Sequence, residues 1–178
     1  MPMQVVLDEN GRFSYVDHFE SLVGREGHGG ALLVRHADIN GVMDLVYDGY
    51  AGDAVFQVRG AEGRDVVVTF IYQLVSEKLF SDVSALVHGY RRTDLKGALG
   101  LEVSLDGRNW LAGTPFRRDL REGVGDVQVR VDSTTHPQLR SEWYFQCFVR
   151  ITMKCTARRR TDFAAWMRTV RIDVRKPD

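Results

Sequence analysis

Side chains suited to holding a sugar recur at every second position in three short runs. The runs are His88 and Tyr90, then Gln128 and Arg130, then Tyr144, Gln146, Phe148 and Arg150. Aromatic rings stack on the apolar face of a pyranose, while planar amide and guanidinium groups hydrogen-bond its hydroxyls. A spacing of two places each set on one face of an extended strand. If the three strands share a sheet, they present one polar-aromatic platform. Exposed aromatic groups need a covering partner of some kind. Two readings of this face therefore stand together: a glycan platform, and a surface covered by a loop, domain or subunit.

Other residues admit chemistry with less structure behind it. Tyr90-Arg91-Arg92-Thr93-Asp94 sets two arginines beside a tyrosine, a grouping able to clamp a carboxylate or sulfate. Its plainer reading is a solvated strand end paired with Asp94. Arg158-Arg159-Arg160 offers a polyanion the same choice between a grip and a soluble turn. None of the five histidines falls into an HxH, HExxH or His/Cys spacing, so no transition-metal site is predicted. No G-x-S-x-G elbow or phosphate-binding loop occurs. Carboxylate pairs are too common in this composition to define a glycosidase dyad.

These residues need strands to carry them. Leu99, Leu101, Val103 and Leu105 alternate with smaller or polar residues, as do Val127, Val129 and Val131. Phe145, Cys147, Val149, Ile151 and Met153 do the same, and so do Val170, Ile172 and Val174. Alternation of this kind marks strands with one face in a core and one in water. Strands are predicted near 31–36, 42–47, 54–59, 65–74, 82–90, 98–105, 109–112, 126–131, 143–155 and 166–175. An opening hairpin turns at Glu9-Asn10-Gly11, and Asp106-Gly107 reads as a two-residue hairpin turn before Trp110. The segment 24–30, with four glycines, reads as a loop, as does the charged segment 117–125. Only 15–23, 75–80 and 161–167 have any helical character.

At 178 residues the chain suits one domain spanning 1–178. Lys+Arg and Asp+Glu both total 24, so no global field draws in nucleic acid. No apolar run reaches the ~20 residues that cross a bilayer, so no membrane insertion is expected. The first residues lack the pattern of a signal peptide. That leaves the localisation open between a cytosolic protein and a module excised from a longer secreted chain. Cys147 and Cys155 sit eight apart on one predicted strand, roughly 26 Å at ~3.3 Å per residue, beyond disulfide reach. They are expected to be buried thiols.

The order of these features resembles the galactose-binding-like jelly roll of discoidin domains and carbohydrate-binding modules. The resemblance lies in Asp48-Gly49, the strands Val55–Val58, Val66–Phe70 and Val83–Val87, the Glu102–Trp110 hairpin, and the strand Phe148–Ile151. It implies an all-β, antiparallel β-sandwich of jelly-roll type, and a non-catalytic module that recognises a polysaccharide or other glycan. The alternative is an interaction or assembly sandwich that meets a protein partner or a second copy. A third reading is a jelly-roll polysaccharide lyase, in which a tyrosine transfers the proton while arginine or glutamine neutralises a uronate. The expected ligand-binding residues are His88, Tyr90, Arg91, Arg92, Gln128, Arg130, Tyr144, Gln146 and Arg150, with no catalytic residue and no organic cofactor. A structural calcium, which the resemblance makes a candidate, would draw on Asp17, Glu20 and Asp173, oxygen ligands suited to a hard cation.

Overall fold

The computed structural model describes residues 2–17, 32–36, 42–47, 54–59, 65–92, 98–121, 124–156 and 163–177. Twelve strands and one helical turn lie in this set. They are β1 (Met3–Gln4), β2 (Arg12–Asp17), β3 (Leu32–His36), β4 (Val42–Tyr47), β5 (Ala54–Arg59), β6 (Asp65–Arg92), β7 (Ala98–Ser104), β8 (Leu111–Ala112), β9 (Thr114–Arg121), β10 (Val124–Val131), α1 (Gln138–Ser141), β11 (Tyr144–Thr156) and β12 (Phe163–Arg175).

They form the expected antiparallel β-sandwich of jelly-roll type, and β6 belongs to both of its sheets. At 28 residues β6 is far longer than an ordinary strand, and it turns a corner. Its first half pairs with β11 on one side and with β3 on the other, and β1 joins that edge in parallel. With β7 and β8 beyond β11, these strands make sheet A. Its second half lies between β10 and β12. With β9 beyond β10, and β2 and β5–β4 beyond β12, these make sheet B.

The corner is a break in both partner ladders. β11 pairs Gln146 with Val75 and then Tyr144 with Phe80, and β12 slips between Asp173 and Arg175. Strands that change sheets do so through such bulges and bends. Asp82 has a φ of 47°, a left-handed conformation that aspartate tolerates better than most residues. Its carboxylate accepts a hydrogen bond from Ser133 Oγ at 3.1 Å. The segment 75–80, expected to be a helical turn or a connection, is therefore a bent strand. Phe80 is fully buried, and that burial, with pairing on either side, overrides local propensity.

The interior is the one the alternation predicts. Sheet A contributes Phe70, Tyr72, Leu74, Leu101, Val103, Cys147, Val149 and Ile151, and sheet B contributes Val83, Val87, Val127, Val129, Val131, Val170, Ile172 and Val174, all buried. Each such side chain stabilises the fold by roughly 1.5–3 kcal/mol relative to exposure. Leu139 of α1 is buried in the same cluster. This helical turn was not expected from sequence.

Four expectations are corrected. Phe145 does not enter the core: it falls in the β11 bulge and is 56% exposed. The opening turn forms, with Asp8 N–H donating to Arg12 O and Gly11 N–H to Asp8 O. Its two arms nevertheless join different sheets, β1 in A and β2 in B. The segment 117–125 is mostly strand, because β9 pairs with β10 from Arg121 back to Thr114. Among the described residues β9 has no other partner, and charged residues on an edge strand discourage pairing with another chain. The Asp106-Gly107 turn is wider than two residues, since β7 and β8 pair only at Val103↔Leu111 and Glu102↔Ala112.

Asp17 of β2 is buried across the sandwich, where its Oδ2 accepts hydrogen bonds from Tyr72 of sheet A at 3.0 Å and from Tyr15 at 3.2 Å. Burial and the nearby carboxylate push both tyrosine hydroxyls well above their ordinary pKa, so both remain donors at any physiological pH. Tyr72→Phe removes one donor from a buried charged acceptor. It is expected to lower unfolding free energy by about 1–3 kcal/mol, read from urea denaturation. Burial pushes the Cys147 thiol up to about 12, and a thiol reacts as its thiolate. In a Cys155→Ser background, a thiol reagent at pH 8 is expected to label Cys147 only as fast as the protein unfolds.

Candidate functional site

The expected platform is divided between two opposite surfaces. β6's second half and β10 lie in sheet B, whereas β11 lies in sheet A. His88, Gln128 and Arg130 therefore face away from one side of the sandwich, and Gln146 and Arg150 from the other. Tyr144 joins neither group. It is packed against the core, and its hydroxyl donates to Glu142 Oε2 at 2.7 Å and approaches Gln138 O at 3.2 Å. Burial and Glu142 push that hydroxyl well above its ordinary pKa.

On sheet A's outer face, Arg150 is already engaged. Its guanidinium carbon lies 3.9 Å from the centre of the Trp110 ring, and its Nε donates to Glu102 Oε2 at 2.6 Å. Cation–π stacking and a charge-assisted hydrogen bond fix both partners. Trp110 is thus held under Arg150 on this face.

The loop before Trp110 is also internally satisfied. Asp106 accepts from the amides of Arg108 and Asn109 at 2.8 Å each, from Asn109 Nδ2 at 2.7 Å and from Ser104 Oγ at 3.1 Å. Gly107 takes a φ of 74°, and a Cβ there would come within 3.3 Å of the Phe148 ring. Because Asp106 is not itself left-handed, only the glycine carries the turn's positive φ.

Sheet B's outer face is organised differently. Its register stacks three rows across β10, β6 and β12. These are Asp126–Tyr90–Trp166, Gln128–His88–Thr169 and Arg130–Leu86–Arg171; Ser84–Asp173 follows across β6 and β12. The side chains of Tyr90, Trp166, Arg91 and Arg92 lie outside the described residues, as do those of the 158–160 arginines and Glu20.

Arg130 Nε meets Asp132 Oδ2 at 2.7 Å, and Arg171 Nε meets Asp173 Oδ2 at 2.8 Å with a second bond from Nη2 to Oδ1 at 3.1 Å. Between these two walls runs a shallow groove of about 340 Å³, with Ser84 and Leu86 among its lining residues. It continues past Arg175 toward Asp8 and Arg12. Partial burial pushes the Asp132 carboxyl up, but the hydroxyl and amide of Thr134 and the Arg130 guanidinium outweigh it and hold it below the usual range. Asp173 in turn raises Arg171.

Sequence reasoning placed Arg130, His88 and Gln128 here but missed Arg171 and Asp132 as partners. The signal was present, since Arg130-Val131-Asp132 and Arg171-Ile172-Asp173 repeat one pattern. Of the expected calcium ligands, the two described ones, Asp17 and Asp173, do not converge. Asp17 points into the core, whereas Asp173 lies on the opposite face of the same sheet and pairs with Arg171.

No protein-family profile matches the chain, and no curated protein is detectably similar. Three solved structures are distantly similar to the chain. A family 61 carbohydrate-binding module in complex with β-1,4-galactotriose is 12% identical, with a TM-score of 0.42 over 80% of this chain and 83% of that one. The K1 cleaved adhesin domain of Lys-gingipain from Porphyromonas gingivalis is 10% identical, with a TM-score of 0.46 over 93% and 99%. A family 11 carbohydrate-binding module from Clostridium thermocellum, bound to a β-1,3-1,4-mixed-linked tetrasaccharide, is 9% identical, with a TM-score of 0.39 over 96% and 98%.

Backbone amides of Asn109 and Arg108 are the main reason the Asp106 carboxyl is held well below its usual range. A depressed folded-state pKa contributes stability that is present above the unfolded value of ~3.9 and lost as pH falls further. Below about pH 4 the protein is expected to lose melting temperature with acidification, and Asp106→Asn to flatten that part of the curve.

Proposed function

We propose that this chain is a non-catalytic glycan-binding β-sandwich whose ligand lies along the outer groove of sheet B. The observation that carries the reading is the pair of Arg-x-Asp walls on β10 and β12, flanking Ser84 and Leu86 of β6. Two strand spacings separate the walls, roughly 9.5 Å, which leaves room for a ring-sized ligand. Leu86 offers an apolar contact, and the guanidinium and carboxylate edges offer donors and acceptors to hydroxyls on either side. Gln128, His88 and Thr169 extend the same polar track by one row. These side chains stand on a paired sheet, so little ordering is needed on binding.

A second surface favours the assembly reading. Trp143 and Phe145 are 59% and 56% exposed and two residues apart. Exposed aromatic groups of this kind occur where another protein docks. Loss of a dimer in Trp143→Ala with Phe145→Ala, seen by sedimentation, would support that reading.

Glycan binding should depend on the groove and not on sheet A. Isothermal titration against a panel of soluble polysaccharides is expected to show at least tenfold weaker binding for Arg171→Ala, because one charge-assisted hydrogen bond contributes ~1.5–3 kcal/mol. Lys154→Ala, on the opposite surface, is expected to bind as the parent does. Equal affinity in Arg171→Ala and the parent would overturn the assignment.

A further inference from the structure

Taking the groove as the binding site, we propose that its ligand is an uncharged saccharide with adjacent free hydroxyls, and that the groove rejects uronates and sulfated glycans. The inference rests on where the charges stand. Arg130, Arg171 and Arg175 are each held by a carboxylate, Asp132 at 2.7 Å, Asp173 at 2.8 Å and Asp82 at 3.7 Å. Among the described residues lining the groove three cations thus face three anions, so these side chains leave no net charge for an anionic ligand.

Exposure reinforces this. The arginine side chains are 49–58% exposed, whereas those of the three aspartates are only 15–31% exposed. An incoming carboxylate would have to share a guanidinium with a carboxylate that is already seated beneath it. Like charges so placed repel each other.

A neutral ligand leaves the pairs intact. A guanidinium has five N–H donors and a carboxylate about four lone-pair positions, so two bonds do not exhaust the Arg171–Asp173 pair, which presents donors and acceptors side by side. A hydroxyl both donates and accepts, and two neighbouring hydroxyls match such an edge. The bonds within the Arg130–Asp132 and Arg171–Asp173 pairs also hold donor and acceptor in place before the ligand arrives. Where affinity comes from hydrogen bonds and not from net charge, salt has little to screen.

The test titrates the protein with galactan, mixed-linkage β-glucan and xyloglucan as neutral probes, and with polygalacturonate and heparin as acidic ones, at 50 and 500 mM NaCl. A neutral probe is expected to bind with affinity changing less than twofold between the two salts, and a tenfold excess of either acidic probe is expected not to displace it. The variant Asp173→Asn takes from Arg171 the carboxylate that holds it. It is expected to gain polygalacturonate binding that weakens at least tenfold at high salt. Parent protein that prefers an acidic probe at low salt, and loses that preference in Arg171→Ala, would overturn the neutral-ligand inference while leaving the groove as the site. Binding of no probe, or binding indifferent to Arg171→Ala, would overturn the groove itself and the inference with it.

Discussion

The surface chemistry of this protein depends on a change of phase within one strand. Before the corner, β6 buries its even positions, Phe70, Tyr72 and Leu74; after it, β6 buries the odd ones, Val83, Ala85 and Val87. The shift occurs where Phe80 and Ser81, adjacent in sequence, are both buried, followed by the left-handed Asp82. A slip of one residue sends every later side chain to the other face. Ser84, Leu86 and His88 therefore point outward, and β10 and β12 align their own polar rows to them. A corner without the slip would bury His88 and expose the valines.

The groove shows how much of such a site a sequence can carry. Alternation around Val129 and Val87 sufficed to put His88, Gln128 and Arg130 outward, and the structure agrees. Assigning Arg150 and Gln146 to the same platform required knowing that β11 and β10 share a sheet, which they do not. Parity reports a side chain's face within its own strand and is silent about which strand lies beside it. Arg171 escaped for the same reason, since only the register of β12 on β6 brings it opposite Leu86.

The remaining differences arise where strict pairing lapses. Tyr144 and Phe145 exchange their expected places because β11 bulges beside the corner. Asp106-Gly107 suggested a tight hairpin, yet the aspartate is committed to bonding Asn109 and Arg108 within a wider loop. Asp17 was offered as a calcium ligand, and its carboxylate bridges the sheets through Tyr72. A buried carboxylate in an alternating strand looks like its solvated counterpart until its partners across the core are known.

The continuity of β6 bears on how this domain comes apart. Most sandwiches join their layers through loops, so one layer can fray while the other holds. Here a single backbone ladder runs through both, with β11 fastened to one half and β12 to the other. Its central position in each layer makes it the shared spine of the molecule. Loss of either layer would strip one flank from the other, which ties the two into a single cooperative unit.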